Sequence, residues 1–275
     1  LDPSVCRKFH LDQSGVVESA LAELVVFHGF CGTQFDSVEF HRLLSARDDS
    51  EESVSGSIGS EQCNVMSEDM RLKSPGALAW DERYDKDSFH YGTEPNDFLR
   101  ENAGLIRKGG RVLCLAEGEG RNAIYLAEKG FEVTAVDQSG VGLKKLEAWA
   151  LRKNLRVETR LSDLRDYDPG SKEWDAVVSI WCHLPPDLRT LVHSRVCAAL
   201  RPGGFVILEA YHPRQLEYKT GGPPVPELMM TAGILKKDFS SLQIESLVEI
   251  DRDVHEGEGH FGKSAVVQLI AVRRT

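Results

Sequence analysis

From residue 75 onward the apolar positions alternate between short runs and helical stripes. Residues 111–115 form an apolar run that stops at a glycine-rich turn, and 121–129 continue as a helix closed by Gly130. Residues 131–136 predict a second strand. Val141, Leu143, Leu146, Trp149 and Leu151 have helical spacing and predict a helix over 141–153. Residues 156–161 predict a third strand, and the nearly all-apolar 174–181 a fourth. Leu188, Leu191, Val192, Val196 and Leu200 then make the core-facing stripe of a helix over 186–200. Arg201-Pro202-Gly203-Gly204 ends it, and 205–210 read as a fifth strand. In the tail Leu242, Ile244, Val248 and Ile250 alternate, a turn holds Gly257, Gly259 and Gly262, and 264–272 predict a closing strand.

Repeated strand–helix units with buried strands predict an α/β, Rossmann-like doubly wound sheet. It should be mostly parallel, with an antiparallel last strand and helices on both faces. That domain covers 75–275. Residues 1–74 are different: 1–75 carry 13 Asp/Glu against 6 Lys/Arg, and Ser55-Gly56-Ser57-Ile58-Gly59-Ser60 follows an acidic run. Beyond a short helix over 16–30, such composition predicts a largely disordered acidic extension, with 1–65 dispensable.

The formal net charge of -10 argues against a general grip on nucleic acid or an anionic membrane. Arg71 and Lys73 are too few for a nucleic-acid arm. Apolar stretches fall short of the roughly 18 residues of a membrane span. The six cysteines follow no repeating spacing, which predicts a reduced, cytoplasmic chain. Cys182, His183, His193 and Cys197 match no zinc spacing, so no metal is expected. A monomer or homodimer is expected.

The chemistry gathers at Val112-Leu113-Cys114-Leu115-Ala116-Glu117-Gly118-Glu119-Gly120-Arg121-Asn122-Ala123: strand, glycine turn, helix start. Glycines there admit a ligand to the backbone, and the helix N-terminus offers free N–H groups. Asp137 ends the next strand, 19 residues after Gly118, where a carboxylate can accept both hydrogen bonds of a ribose diol. The same pattern fits the G-x-G-x-x-A dinucleotide fingerprint, so an NAD(P)-binding oxidoreductase stays open. Glu117 and Glu119 would repel a pyrophosphate but suit a cationic, phosphate-free ligand. Tyr125 and Lys129 form a Tyr-x-x-x-Lys pair, but in the first helix after the loop, away from where a dehydrogenase carries it.

Several blocks resemble, in order, the class I S-adenosylmethionine (SAM) methyltransferases. These are Ala116–Asn122, Val133–Ser139, Leu161-Ser162-Asp163-Leu164, Trp174–Val178 and Leu200–Gly204. Trp80–Tyr84 and Tyr91–Asn96 are similar to the lid of the tellurite-resistance and thiopurine-methyltransferase-like branch. The resemblance implies SAM as cofactor and a methyl-transferring enzyme. Ala116, Glu117 and Gly118 would line the methionine and ribose. Asp137 would hold the ribose hydroxyls, with Gln138 beside adenine. Asp163 would accept from the adenine amino group, Leu164 would cover the ring, Ser162 would also border the cofactor, and Ile180 would lie near the methionine. Trp80 and Tyr84 would close the lid. Two positions depart from the pattern. Cys114 stands where the family often has an acid, so Glu117 would have to replace it as a partner of the methionine ammonium. Ala116 replaces the first glycine and fits with a negative φ.

Methyl transfer needs alignment more than chemistry from the protein. Acceptor-side candidates are His183, Tyr211 and His212, after the fourth and fifth strands. Asn/Asp-Pro-Pro-Tyr is absent there, which turns the reading from amide or nucleobase nitrogen toward a small soft acceptor, such as a thiol or chalcogen oxyanion. A methyltransferase-like module that binds without catalysis is the remaining alternative.

Overall fold

A computed structural model describes residues 74–274. The expectations for the acidic extension lie outside the described residues. Helices α1 (Pro75–Tyr84) and α2 (Asp97–Asn102) precede β1 (Arg111–Leu115), α3 (Arg121–Glu128), β2 (Glu132–Asp137), α4 (Gly140–Arg152) and β3 (Val157–Leu161). Next come β4 (Trp174–Ile180), α5 (Pro186–Ala199), β5 (Leu200–Tyr211), α6 (Gln215–Tyr218), α7 (Ala232–Asp238), β6 (Gln243–Glu256) and β7 (His260–Val272).

The strands form one sheet in the order β3-β2-β1-β4-β5-β7-β6. β1 to β5 pair in parallel, while β7 runs antiparallel to both β5 and β6. Parallel neighbours need crossovers, and α3, α4 and α5 provide them. Alternate residues of β1 serve opposite faces. Leu113 and Leu115 join Val177, Val196, Leu235 and Phe239 on one side. Val112 and Cys114 join Ile124, Leu143, Leu146 and Val178 on the other. Strand order reverses between β1 and β4. In open α/β sheets ligands bind beyond the carboxyl ends of the strands at such a switch point.

Three local departures have physical causes. Leu191 is 40% exposed and Leu151 81% exposed, against their expected place in the core. On α5 the buried places go to Arg189 and His193, because Asp238 of α7 accepts from His193 Nδ1 at 2.8 Å and faces Arg189 Nε at 3.6 Å. β5 starts at Leu200, before the Arg201–Gly204 turn, which loops out between the pairs Trp174–Leu200 and Ala176–Phe205. The closing hairpin is also longer than its apolar pattern. Polar Arg252 and Glu256 continue β6, and Gly262 lies inside β7 instead of in the turn.

Candidate active site

The loop after β1 holds three alternate positions in left-handed backbone: Ala116 (φ 50°), Gly118 (φ 59°) and Gly120 (φ 93°). The negative φ anticipated for Ala116 is therefore corrected. An L-residue there costs about 1–2 kcal/mol, while glycine loses roughly 0.5–1 kcal/mol of chain freedom elsewhere. Ala116→Gly is accordingly expected to raise stability by about 0.5–1 kcal/mol in urea unfolding. A loss of stability would show that the methyl group makes contacts worth more than the strain.

Asp137 is 6% exposed at the end of β2. Its Oδ2 accepts from Gly118 N at 2.8 Å and its Oδ1 from Ser139 N at 2.7 Å. Each oxygen keeps one further lone pair. Burial pushes this carboxyl up to about 6, against the pull of the backbone N–H groups of Ser139, Gly118 and Gln138.

The acidic flanks of the turn do not stand as free charges. Glu117 turns toward α3, where Oε1 accepts from Ala123 N at 2.7 Å, and burial pushes it up to about 7. Glu119 Oε1 lies 2.5 Å from Lys145 Nζ, and Oε2 accepts from His90 N at 2.8 Å. The expected repulsion of a pyrophosphate is thus largely cancelled. The antiparallel β7 and the sheet order separate this fold from a dinucleotide-binding one better than charge does.

A strap formed by α1 and residues 85–95 closes over the loop. Tyr84 is buried, and a Cβ on Gly118 would lie 2.6 Å from its hydroxyl. Gly142 is as close-packed, with a Cβ falling 3.0 Å from Tyr84 Cδ2 and from the Gly118 carbonyl. Asp81 fastens the strap to α4 by accepting from Ser139 Oγ at 2.6 Å and Val141 N at 3.1 Å. Lys145 does the same by donating to the carbonyls of Tyr84, Lys86 and Ser88. Trp80 stacks on Tyr84 with ring centroids 5.5 Å apart. Gln138 lies against the start of α1, where a Cβ on Gly76 would approach its Oε1 to 3.4 Å.

On the other flank, Ser162 N donates to Asp137 O at 3.0 Å, and Asp163 Oδ1 accepts from Arg165 N at 2.8 Å. Leu164 and Ile180 are buried in the two core layers, on opposite sides of the sheet. His183 Nε2 accepts from Tyr211 N at 2.9 Å, and burial lowers its pKa to about 3. Its ε lone pair is therefore engaged. His212 lies apart, its Nδ1 accepting from Arg214 N at 3.1 Å and its Nε2 facing Glu249 at 3.5 Å.

Around Tyr211 the structure assembles residues that the sequence reading left out. Trp181, at φ 57°, directs its Nε1 to Glu256 Oε2 at 2.5 Å and stacks on Tyr211 with centroids 4.4 Å apart. Glu256 also accepts from Arg121 Nη2 at 2.6 Å and Asn96 Nδ2 at 2.8 Å. Glu209, wholly buried, accepts from Asn96 at 2.6 Å, Arg252 at 2.7 Å and Gln268 at 2.7 Å. His260 sits against Tyr91, Trp181 and Tyr211. Among the described residues, no group of three or more His, Cys, Asp or Glu is arranged to hold a metal ion. Among them, too, no helix is long and apolar enough to cross a membrane.

The residues present fit an adenosyl ligand. The buried Asp137 keeps acceptor capacity for a diol, and Gly118 leaves bare backbone under Tyr84 for a ligand that displaces that ring. A methyltransferase-domain family matches residues 112–204. The glycine N-methyltransferase of Rattus norvegicus is 29% identical over 172 residues, 55% of this chain and 56% of that protein. The chain thus spans little more than half the length of that curated relative. Among solved structures, TehB from Haemophilus influenzae superposes with a TM-score of 0.55 at 18% identity, over 72% of this chain and 67% of that one. A SAM-dependent methyltransferase from Methanosarcina mazei gives 0.53 at 15% identity, over 66% and 99%. The family match and the order of the strands together make the described residues similar to class I, SAM-dependent methyltransferase domains.

Proposed function

We propose that this domain transfers a methyl group from SAM to a small-molecule acceptor. Asp137 carries the reading: a buried carboxylate beside a side-chain-free turn, at the switch point of the sheet, with acceptor capacity to spare. Bound SAM supplies an electrophilic methyl group. In this reading Asp137 holds the ribose hydroxyls. Ala116, Glu117 and Gly118 line the ligand, and Gln138, Ser162, Asp163, Leu164 and Ile180 border its adenine and methionine ends. Trp80 and Tyr84 exclude water, and Tyr84 is the side chain that must yield when a ligand comes over Gly118.

The acceptor is small and soft, a thiol ahead of an amide or nucleobase nitrogen. The segment Trp181-Cys182-His183-Leu184-Pro185 after β4 supports this, since it lacks the Asn/Asp-Pro-Pro-Tyr sequence of amino-methylating enzymes. The free thiols of Cys114, Cys182 and Cys197 suit a reducing, cytoplasmic compartment. The name of the rat relative brings amines into the set to be tested.

Calorimetric titration with S-adenosylhomocysteine and, separately, NADH tests the proposal. Binding of the former alone is expected. Binding of NADH alone would overturn it in favour of an oxidoreductase. Tight S-adenosylhomocysteine binding without transfer to any thiol, phenol or amine would point to a non-catalytic module.

A further inference from the structure

Four buried side-chain polar atoms lack a hydrogen-bond partner among the described residues: His90 Nδ1, Arg189 Nε, Tyr211 Oη and His260 Nδ1. Three of the four gather at one place, beyond the carboxyl ends of β4 and β5. The His260 ring lies 4.6 Å from Tyr91, 5.0 Å from Trp181 and 5.2 Å from Tyr211, and His90 packs on Tyr91 at 4.6 Å. Such clustering marks a site built for a polar ligand more than a packing fault. The backbone agrees: Trp181, a bulky residue, is held at φ 57°, and strain of that kind persists where the surroundings impose it.

The glycine-rich turn explains how the place is enclosed. A Cβ on Gly257 would overlap the His90 carbonyl and one on Gly259 the Tyr91 ring, so the turn lies flat against the strap. Glu258 N donates to His90 O at 2.9 Å and completes the clasp. Tyr91 is 6.4 Å from Tyr84, which itself covers Gly118. An unbroken line of rings thus runs from the cofactor loop to His260.

We infer that His260 is the base that takes the proton of the methyl acceptor, positioned by Glu256; the inference rests on the methyltransferase reading above. Glu256 Oε2 faces Nδ1 at 3.6 Å, a separation that a bound acceptor can close, as catalytic hydrogen bonds often tighten only in the complex. With its proton on Nδ1 toward the carboxylate, the ring presents Nε2 as the acceptor atom. The acceptor's proton passes to Nε2, the freed lone pair forms the bond to the methyl carbon, and the carbon–sulfur bond breaks with its electron pair left on sulfur. The acceptor class is therefore protic: a thiol, phenol or amine whose proton must leave. A chalcogen oxyanion would gain nothing from this base.

Several groups set the charge here. Glu256 faces His260 from β6, Arg121 from α3 and Arg83 from α1, while His183, His90, Tyr91 and Tyr211 complete the wall. Burial lowers His260 most, Arg121 and Arg83 add to this, and Glu256 opposes. Glu256 stays ionised because the adjoining Arg121 guanidinium outweighs its own burial. His260 is therefore neutral, and competent as a base, at neutral pH.

The test compares the full chain with His260→Asn and Glu256→Gln. Thiophenol, phenol, aniline and glycine serve as protic acceptors, and tellurite as one without a proton to lose. Nitrogen-15 NMR of the imidazoles in the ligand-free protein reads the tautomer independently of turnover. The expected results are a bare Nε2 on His260, unchanged S-adenosylhomocysteine affinity in His260→Asn, and a fall in protic-acceptor turnover on the order of 10²-fold. The acidic limb of the pH–rate profile should vanish in His260→Asn and move in Glu256→Gln. A proton on Nε2 in the free protein, His260→Asn turnover within threefold of the parent, or transfer to tellurite alone would each overturn the inference. Failure of the parent chain to bind S-adenosylhomocysteine would instead overturn the reading beneath it, and this inference with it.

Discussion

Gly120→Ala is expected to remove a large part of the folding stability of the domain. Gly120 caps α3 at φ 93°, and its carbonyl accepts from Ile124 N at 2.8 Å. An added Cβ would lie 2.8 Å from both Cβ and Cγ of Leu146, and closer still to Cδ1. Leu146 is wholly buried and has nowhere to retreat. Left-handed strain costs about 1–2 kcal/mol and overpacking about 1–3 kcal/mol more. Against the roughly 5–15 kcal/mol that hold a domain together, such a loss is severe. Gly109→Ala is the matched control, since Gly109 shares the left-handed backbone (φ 66°) but a Cβ there meets nothing within 4 Å. Urea unfolding followed by circular dichroism should place Gly109→Ala about 1 kcal/mol below the parent and Gly120→Ala far lower. Equal losses in the two variants would sink the packing argument and leave only backbone strain.

The centre of the parallel half of the sheet was legible because β1 and β4 are buried on both faces, so that Val112–Leu115 and Trp174–Ile180 read as nearly continuous apolar runs. The place of Asp137 was legible too, at the end of β2 and beside the glycine turn. What stayed hidden shares one physical trait: polar residues doing the work of a core. Arg252 and Glu256 look like surface until Glu209, Arg121 and Asn96 are seen to satisfy them, and His260 is buried beside them. The end of β6 was missed for the same reason, as only Val254 keeps an apolar side chain inward there. On α5 the helical period was right, but its buried face includes Arg189 and His193, whose partner Asp238 stands 45 residues beyond His193. No local pattern carries that kind of information. Two glycines of the closing turn were a signal in hand: Gly257 and Gly259 each mark a close approach of the strap, but nothing in their spacing pointed to His260 beside them.

Asp137 gives the second large effect, and its pH dependence has a definite sign. An exposed aspartate titrates near 3.9 in the unfolded chain, whereas burial raises Asp137 to about 6 in the fold. Between those values the folded chain holds a proton that the unfolded chain has released, so this group makes stability fall as pH rises from about 4 to 6 and level off above. The cost of keeping the charge buried is on the order of 3 kcal/mol. A ribose diol donating to the two spare lone pairs stabilises the ionised form. Binding must therefore pull the pKa down, release protons, and strengthen as pH climbs from 5 toward 7. Glu117, raised to about 7 by its own burial, titrates in part of the same window. Asp137→Asn separates the two, because it leaves Glu117 intact and turns an acceptor into a donor toward Gly118 N or Ser139 N. Hydrogen bonds to a charged group are worth about 1.5–3 kcal/mol, so Asp137→Asn should weaken S-adenosylhomocysteine binding roughly 10- to 150-fold at pH 7.5 and flatten its dependence between pH 5 and 6.5. Calorimetry in two buffers of different ionisation enthalpy counts the protons released. An unaltered slope in the variant would assign them to Glu117, and an unaltered affinity would take Asp137 out of the ribose site.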